Sequence, residues 1–191
     1  MTEKIAPANR SNLGPFDSSE VELPANYLDF GSIRLVPEPD VAIRLEVEEA
    51  TGKVVALTLE TLGTILQVSV FAAAKHEGIW GDVLTQLKDS IVASGGTASD
   101  SLGQLGPGLD AQVIQADGTL RPIRFVGVDG PRWFVRGSIT GSALTDSAVA
   151  VEIEDIFRSL VIHRGDSPMP PRDPLEIVIP AGIITPPRPG I

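Results

Sequence analysis

Alternation of apolar and polar residues predicts strands along much of the chain. In residues 41–48 the apolar side chains Val41, Ile43, Leu45 and Val47 alternate with small or charged ones, which is the two-residue period of a strand with one face in water. Further strands are predicted from Tyr27 to Val36, from Val54 to Leu59 and from Ile65 to Ala74. The strand from Ile65 to Ala74 is expected to lie in the interior of the sheet, because its polar residues become fewer along its length.

Two segments repeat their apolar residues every three or four positions, which predicts amphipathic helices. The first spans residues 79–91 and ends near Ser94 at Gly95-Gly96, and the second spans residues 149–160 and is capped by Thr145 or Asp146. Residues 97–108 are predicted as a polar, glycine-rich loop, followed by short strands at residues 109–115 and 160–164. The order of elements predicts an α+β fold, a mostly antiparallel sheet with two covering helices.

Residues 124–137, Arg-Phe-Val-Gly-Val-Asp-Gly-Pro-Arg-Trp-Phe-Val-Arg-Gly, predict the central hairpin of this sheet. Asp129-Gly130 suits a tight turn, but Pro131 cannot donate a backbone hydrogen bond, which favours a four-residue loop or a bulged turn. The register is open by one residue. With Gly127 opposite Arg132, both faces of the pair would carry bulky apolar groups, as in a central strand pair covered on both sides.

The chain is expected to divide into three parts. Residues 1–26 are predicted as a flexible acidic arm, residues 27–164 as one α+β domain, and residues 165–191 as an extended arm that holds half of the chain's 16 prolines. Within this last arm Leu175, Ile177 and Ile179 are too apolar for a solvated tail. We expect them to dock on their own domain, with another protein as the alternative, and residues beyond Pro186 to be mobile.

Composition excludes several kinds of partner and chemistry. The net charge of −10 argues against nucleic acid as the main partner. The absence of cysteine excludes disulfides, thiolate metal sites and a cysteine nucleophile. No apolar run is long enough to span a membrane and no secretory signal begins the chain, so no membrane contact is expected and a cytoplasmic location is predicted.

The stretch from Gly127 to Gly137, with residues 46–54 before it and 161–172 after it, resembles an uncharacterised actinobacterial family catalogued as a domain of unknown function. That resemblance implies a cytoplasmic protein of actinobacterium-like origin and carries no functional residues with it. A looser, fold-level likeness over about residues 30–164 is to the PsbP-type α/β/α sandwich, and it transfers no site.

No catalytic or cofactor-binding spacing stands out. His76 and His163 lack the spacing of metal ligands, and neither Gly137–Gly141 nor Gly103–Gly108 has the residues of a nucleophile elbow or a phosphate loop. No cofactor or metal is therefore expected, and an enzyme is the less favoured class.

Two functions remain open at this point, and the oligomeric state is undetermined. The favoured one is a non-catalytic protein-interaction or structural module that binds through a sheet edge or the C-terminal arm. The alternative is a small-ligand-binding or enzymatic domain that uses Arg124, Arg132 or Arg136 to hold an anion. Arginines converging in one concave pocket would favour the ligand, and arginines dispersed among carboxylates would favour the first class.

Overall fold

The computed structural model describes residues 2–180. Its helices are α1 (Arg10–Leu13), α2 (Trp80–Ala93) and α3 (Ser147–Ser159), with a 3₁₀ turn at Ser142–Leu144. Its strands are β1 (Phe16–Asp17), β2 (Leu28–Asp29), β3 (Ile33–Leu35), β4 (Ala42–Val47), β5 (Val54–Thr61), β6 (Thr64–Ala72), β7 (Thr97–Gly103), β8 (Gly106–Ile114), β9 (Leu120–Asp129), β10 (Trp133–Gly141) and β11 (Val161–Ile162).

A seven-stranded sheet forms the body of the protein. Its order is β4-β5-β6-β10-β9-β8-β7, and every neighbouring pair is antiparallel. A small second sheet has the order β1-β11-β3-β2. This architecture confirms the predicted α+β class with a mostly antiparallel sheet.

The two long helices cover opposite faces of the central strands. Trp80 of α2 lies so close to β9 that a Cβ on Gly127 would come within 2.5 Å of the indole ring. On the other face Phe157 of α3 meets Gly137, where an added Cβ would lie 3.0 Å from its ring. Both positions therefore require glycine, which has no side chain, because protein interiors pack without spare volume. The core cluster that contains Ile153 and Phe157 also contains Val126, Val128 and Val135.

The central hairpin is confirmed, but its register differs from the pairing we considered. Gly127 lies opposite Arg136 rather than Arg132, and Phe134 lies opposite Asp129. The Gly130 N–H donates to the Trp133 carbonyl at 2.8 Å, so the turn is centred on Pro131 and Arg132. Proline suits the first of these turn positions because its φ is already fixed there. Asp129 therefore ends a strand instead of forming the turn.

Both predicted helices are confirmed. The helix α2 ends at Ala93, and Gly95 adopts a φ of 88° just beyond it. The carboxylate of Asp146, not Thr145, caps α3 by accepting from the Ala148 and Val149 N–H groups. The predicted loop at residues 97–108 is wrong, because most of it forms β7 and the start of β8. A strand at the edge of a sheet has only one neighbour and tolerates polar side chains, so its sequence carries little apolar alternation.

The N-terminal segment has contacts that the prediction of a flexible arm did not include. Strand β1 pairs in parallel with β11. Near the start of the chain, the Thr2 carbonyl accepts a hydrogen bond from the Gly78 N–H at 2.8 Å. These contacts join residues distant in sequence, so no local pattern indicates them. The motion of residues 1–26 and the three-part division of the chain stay predictions.

Residues 172–178, here called the C-terminal strap, lie on their own domain, as the favoured alternative predicted. The Leu175 N–H donates to the Val70 carbonyl at 2.8 Å, and the Val178 N–H donates to the Phe30 carbonyl at 2.9 Å. Leu175 and Ile177 are buried at 5% and 3% exposure, whereas Ile179 is 48% exposed. The expectation for residues beyond Pro186 lies outside the described residues.

Candidate functional site

The three arginines named from the sequence do not converge. Arg124 and Arg136 lie on opposite faces of the large sheet, since Arg124 shares the alternation of Val126 while Arg136 shares that of Phe134. Arg132 is exposed at the hairpin turn. A pocket built from all three is therefore excluded by the register of β9 and β10.

Arg124 has a carboxylate partner of its own. Its Nε and a terminal nitrogen donate to the two oxygens of Asp110 on β8, at 2.7 and 3.2 Å. The hydrogen bonds that Arg124 donates to Asp110 raise the pKa of Arg124, against an opposing effect of burial. The pair borders a polar hollow of about 260 Å³ that also includes Thr97, Ser99 and Gln112. This cation is already neutralised within the chain, and a ligand would have to compete with a bidentate pair.

Arg136 lies in a different environment, a groove between α2 and the sheet. The groove has a volume of about 270 Å³, close to the lower end of ligand sites. We call it the α2 groove, and its lining consists of Phe71, Ile79, Val83, Gln86, Leu87, Phe134, Arg136 and Arg172. Most of these side chains are apolar, and the two arginines are the only charged members among the described residues.

The aromatic side of the α2 groove follows from the strand register. Phe71 of β6 lies directly opposite Phe134 of β10, and their rings stack with centroids 5.8 Å apart. Trp80 stacks on Phe134 from the helix side at 5.5 Å. This row of three rings joins α2 to the centre of the sheet, so the groove has a rigid base.

Arg136 is the charged group at this base. Its guanidinium carbon lies 5.5 Å from the centroid of Phe71, a cation–π distance. Among residues 2–180 it has no carboxylate or hydrogen-bond partner. Burial lowers the pKa of Arg136, although a guanidinium stays protonated in proteins. Buried charges are ordinarily paired, so the lack of a carboxylate near Arg136 within residues 2–180 is unusual.

The strap supplies the second arginine of the α2 groove. Arg172 donates to Asp82 of α2 at 2.7 Å, and both side chains are nearly half exposed. The backbone of Arg172 has a φ of 75°, a conformation that non-glycine residues adopt rarely and at some cost. Sequence reasoning did not single out Arg172, because its distance to Arg136 depends on how the strap docks.

Leu175 and Ile177 were named as partner-binding residues, and the structure commits both to the core. Leu175 packs in the main hydrophobic cluster, and Ile177 forms an isolated bridge with Gly31. A partner could reach them only if the strap left its own domain. Ile179 stays exposed.

A serine–histidine pair is present that the sequence analysis missed. Ser18 Oγ lies 3.0 Å from His163 Nδ1 because β1 pairs with β11. Neither residue lines the α2 groove or the polar hollow, and no carboxylate hydrogen-bonds to His163 within residues 2–180. Among the described residues the pair therefore has no acid to orient the imidazole, which a nucleophilic triad would require.

Asp129 organises the end of the α2 groove. Its buried carboxylate accepts from the Ile79 N–H at 2.9 Å, from the Trp80 N–H at 3.3 Å and from the Ile5 N–H at 3.0 Å. Acidic groups are favourable at a helix N-terminus, where N–H groups lack intrahelical partners. Asp129 thus caps α2 from the hairpin and holds the N-terminal segment beside it. The sequence showed only a turn-like Asp-Gly dipeptide.

No group of three or more histidine or acidic side chains is arranged to hold a metal within residues 2–180. No helix in the same part of the chain is long and apolar enough to cross a bilayer. The expected absence of a metal stays a prediction.

The protein is an α+β fold in which the α2 groove is a mostly apolar recess that contains Arg136, a cation without a carboxylate partner among the described residues. A family described as proteins of unknown function, DUF3710, matches residues 14–185. The chain belongs to this family. No curated protein and no solved structure matches it.

Proposed function

We propose that this protein is a non-catalytic binding module that holds a small apolar ligand by its anionic group in the α2 groove. The observation that carries the proposal is Arg136, a partly buried guanidinium without a carboxylate partner among the described residues. Leaving such a charge desolvated and unpaired is costly, and an incoming anion would offset that cost.

The lining of the α2 groove supports binding rather than chemistry. Its described side chains are aromatic, aliphatic, amide or guanidinium groups, and none of them transfers a proton near neutral pH or acts as a nucleophile. An apolar body would lie against Phe71, Val83 and Leu87, while the anionic group meets Arg136. This division of labour between apolar walls and one placed charge is common in ligand sites.

The contribution of Arg136 can be measured with a matched pair of probes. Octanoate and octan-1-ol have the same apolar tail and differ in the charged head. A hydrogen bond to a charged group contributes about 1.5–3 kcal/mol, so we expect octanoate to bind at least about tenfold more tightly than octan-1-ol. Isothermal titration calorimetry on the purified chain measures both affinities.

Two variants separate the groove from general electrostatics. Arg136→Gln should remove the preference for octanoate and leave octan-1-ol binding unchanged. Arg132→Gln removes the same charge from the exposed turn of the same hairpin and should have no effect on either probe. Equal octanoate affinity in the two variants, or no octanoate binding to the parent protein, would contradict the proposal.

Protein interaction through a sheet edge is the second candidate, and one observation favours it. β7 is an edge strand of the large sheet, and Leu102 near its end is 83% exposed. An exposed edge with an apolar residue is a surface on which another strand can add. A protein recovered from native lysate by the parent chain and lost with Leu102→Asp would support it. Recovery unchanged by that substitution would count against it.

The cytoplasmic location also remains a prediction from the sequence.

A further inference from the structure

We propose that the C-terminal strap is part of the ligand site: the ion pair between Arg172 and Asp82 makes the α2 groove selective for monoanions, and ligand binding is coupled to docking of the strap. This inference rests on the proposed function of the groove. It adds the charge class of the ligand and a way in which occupancy of the site is controlled.

The strap continues the large sheet where β5 leaves it. The β5–β6 pairing ends at Val68, and beyond it the strap bonds to β6. The Arg172 N–H donates to the Ala72 carbonyl, and the Ala72 N–H donates to the Asp173 carbonyl, both at 2.8 Å. Phe71, the residue before Ala72 on β6, forms a bridge with Pro174 and also lines the α2 groove. One short stretch of β6 therefore carries both the strap and a wall of the groove.

The second link between strap and groove is a side-chain contact. Arg172 lines the groove and pairs with Asp82, which lies on the first turn of α2. The strap thereby connects β6 to the helix on the other side of the recess. Undocking the strap would remove this connection and one wall of the groove together.

The charge of the site follows from its members. Arg136 and Arg172 contribute two positive charges, and Asp82, the partner of Arg172, contributes one negative charge. The remaining charge is one positive, on a chain whose net charge is −10. A carboxylate, with its single negative charge, matches the one net positive charge of the site. A dianion would bring a second charge into a mostly apolar recess without a free cation to receive it, which is unfavourable.

Coupling between strap and ligand is reciprocal by thermodynamic necessity. If the groove is complete only with the strap docked, a ligand that binds the complete groove must stabilise the docked strap by the same factor. Exchange of the strap amides with solvent reports docking directly, since Leu175 and Val178 donate to Val70 and Phe30. Saturating octanoate should slow exchange at both amides.

The charge rule is tested with octanoate and octyl phosphate, which is a dianion at about pH 8. Asp82→Asn leaves Arg172 without its carboxylate, so the groove gains one positive charge. We expect the ratio of octyl phosphate affinity to octanoate affinity to rise about two- to fivefold in this variant, the range for a half-exposed ion pair. Arg172→Gln should weaken octanoate binding by a similar factor and abolish its effect on amide exchange.

Glu176→Gln is the matched control, because it changes a charge on the same strap at an exposed side chain. It should alter neither affinity nor exchange. Octanoate binding that depends on Arg136 but leaves the exchange of Leu175 and Val178 unchanged would overturn the coupling alone. An affinity ratio unaffected by Asp82→Asn would overturn the charge rule alone. Failure of octanoate to bind the parent protein would overturn the proposed function itself.

Discussion

Asp129 offers the most direct test of how the hairpin, α2 and the N-terminal segment are joined. Its carboxylate accepts three backbone N–H groups, from Ile5, Ile79 and Trp80, at 2.9–3.3 Å. Asp129 is 2% exposed, and Ile79 and Trp80 are also buried. Asp129→Ala would leave all three donors without this partner, and those of Ile79 and Trp80 are buried away from water.

The expected loss can be worked from those contacts. A hydrogen bond to a charged group contributes about 1.5–3 kcal/mol, and each buried donor left unsatisfied costs about 1–3 kcal/mol. The contributions overlap, because the donors share one carboxylate and the N-terminal segment can move to admit water. We therefore expect Asp129→Ala to lower the free energy of unfolding by about 3–5 kcal/mol. Asn keeps one acceptor oxygen, so Asp129→Asn should cost about half as much.

Urea unfolding of the three proteins measures this difference through the transition midpoint at constant m-value. Amide exchange at Ile5, Ile79 and Trp80 should rise in Asp129→Ala before the rest of α2 is affected. Asp117→Ala is the control, since that carboxylate also bonds a nearby N–H, that of Thr119, but at an exposed turn. If Asp129→Ala were no less stable than Asp117→Ala, the assignment of Asp129 as the junction of these three segments would be wrong.

Three further predictions follow from the structure. Trp133 is fully buried and its Nε1 donates to Asp17 at 2.9 Å, so Trp133→Ala should cost about 3–5 kcal/mol and Trp133→Phe only about 1 kcal/mol, measured by urea unfolding. The hydrogen bond from Arg10 lowers the pKa of Glu20. The ionised Glu20 therefore stabilises the folded protein fully above the ordinary glutamate pKa of about 4.3. This stabilisation is lost as the pH falls through the lowered pKa of Glu20 in the folded protein. Glu20→Gln should thus reduce the difference in unfolding midpoint between about pH 7 and about pH 3, whereas Glu22→Gln should not. Elemental mass spectrometry of the purified protein should find no stoichiometric zinc or iron, and a metal retained through dialysis would refute this.

The sequence by itself determined the elements whose signals are local. The spacing of apolar residues predicted α2 and α3, Asp146 lay at the cap position of α3, and glycines marked the end of α2. The alternation in residues 41–47 predicted β4. These features depend on neighbours within a few positions, so a sequence displays them directly.

Where a residue's partner is distant in sequence, the local pattern was insufficient or misleading. β7 lies at the sheet edge, has a single neighbour and carries mostly polar side chains, so nothing marked it as a strand. The turn of the central hairpin depended on which residues of β9 and β10 pair. The Asp129-Gly130 dipeptide suggested a turn at those two residues. In the structure Asp129 pairs with Phe134, and the turn lies at Pro131 and Arg132.

The candidate site belongs wholly to this second kind. Arg136 is distinguished from Arg124 by the face of the sheet on which it lies and by the absence of a carboxylate partner among the described residues. Arg172 lies 36 residues after Arg136 in the sequence. It reaches the same groove only because the strap docks beside β6. The sequence alone shows that every Lys or Arg position from residue 121 onward is an arginine. Tertiary structure decided that Arg124 and Arg172 pair with carboxylates whereas Arg136 has no carboxylate partner among the described residues, because charge pairing depends on distances that chain order does not contain.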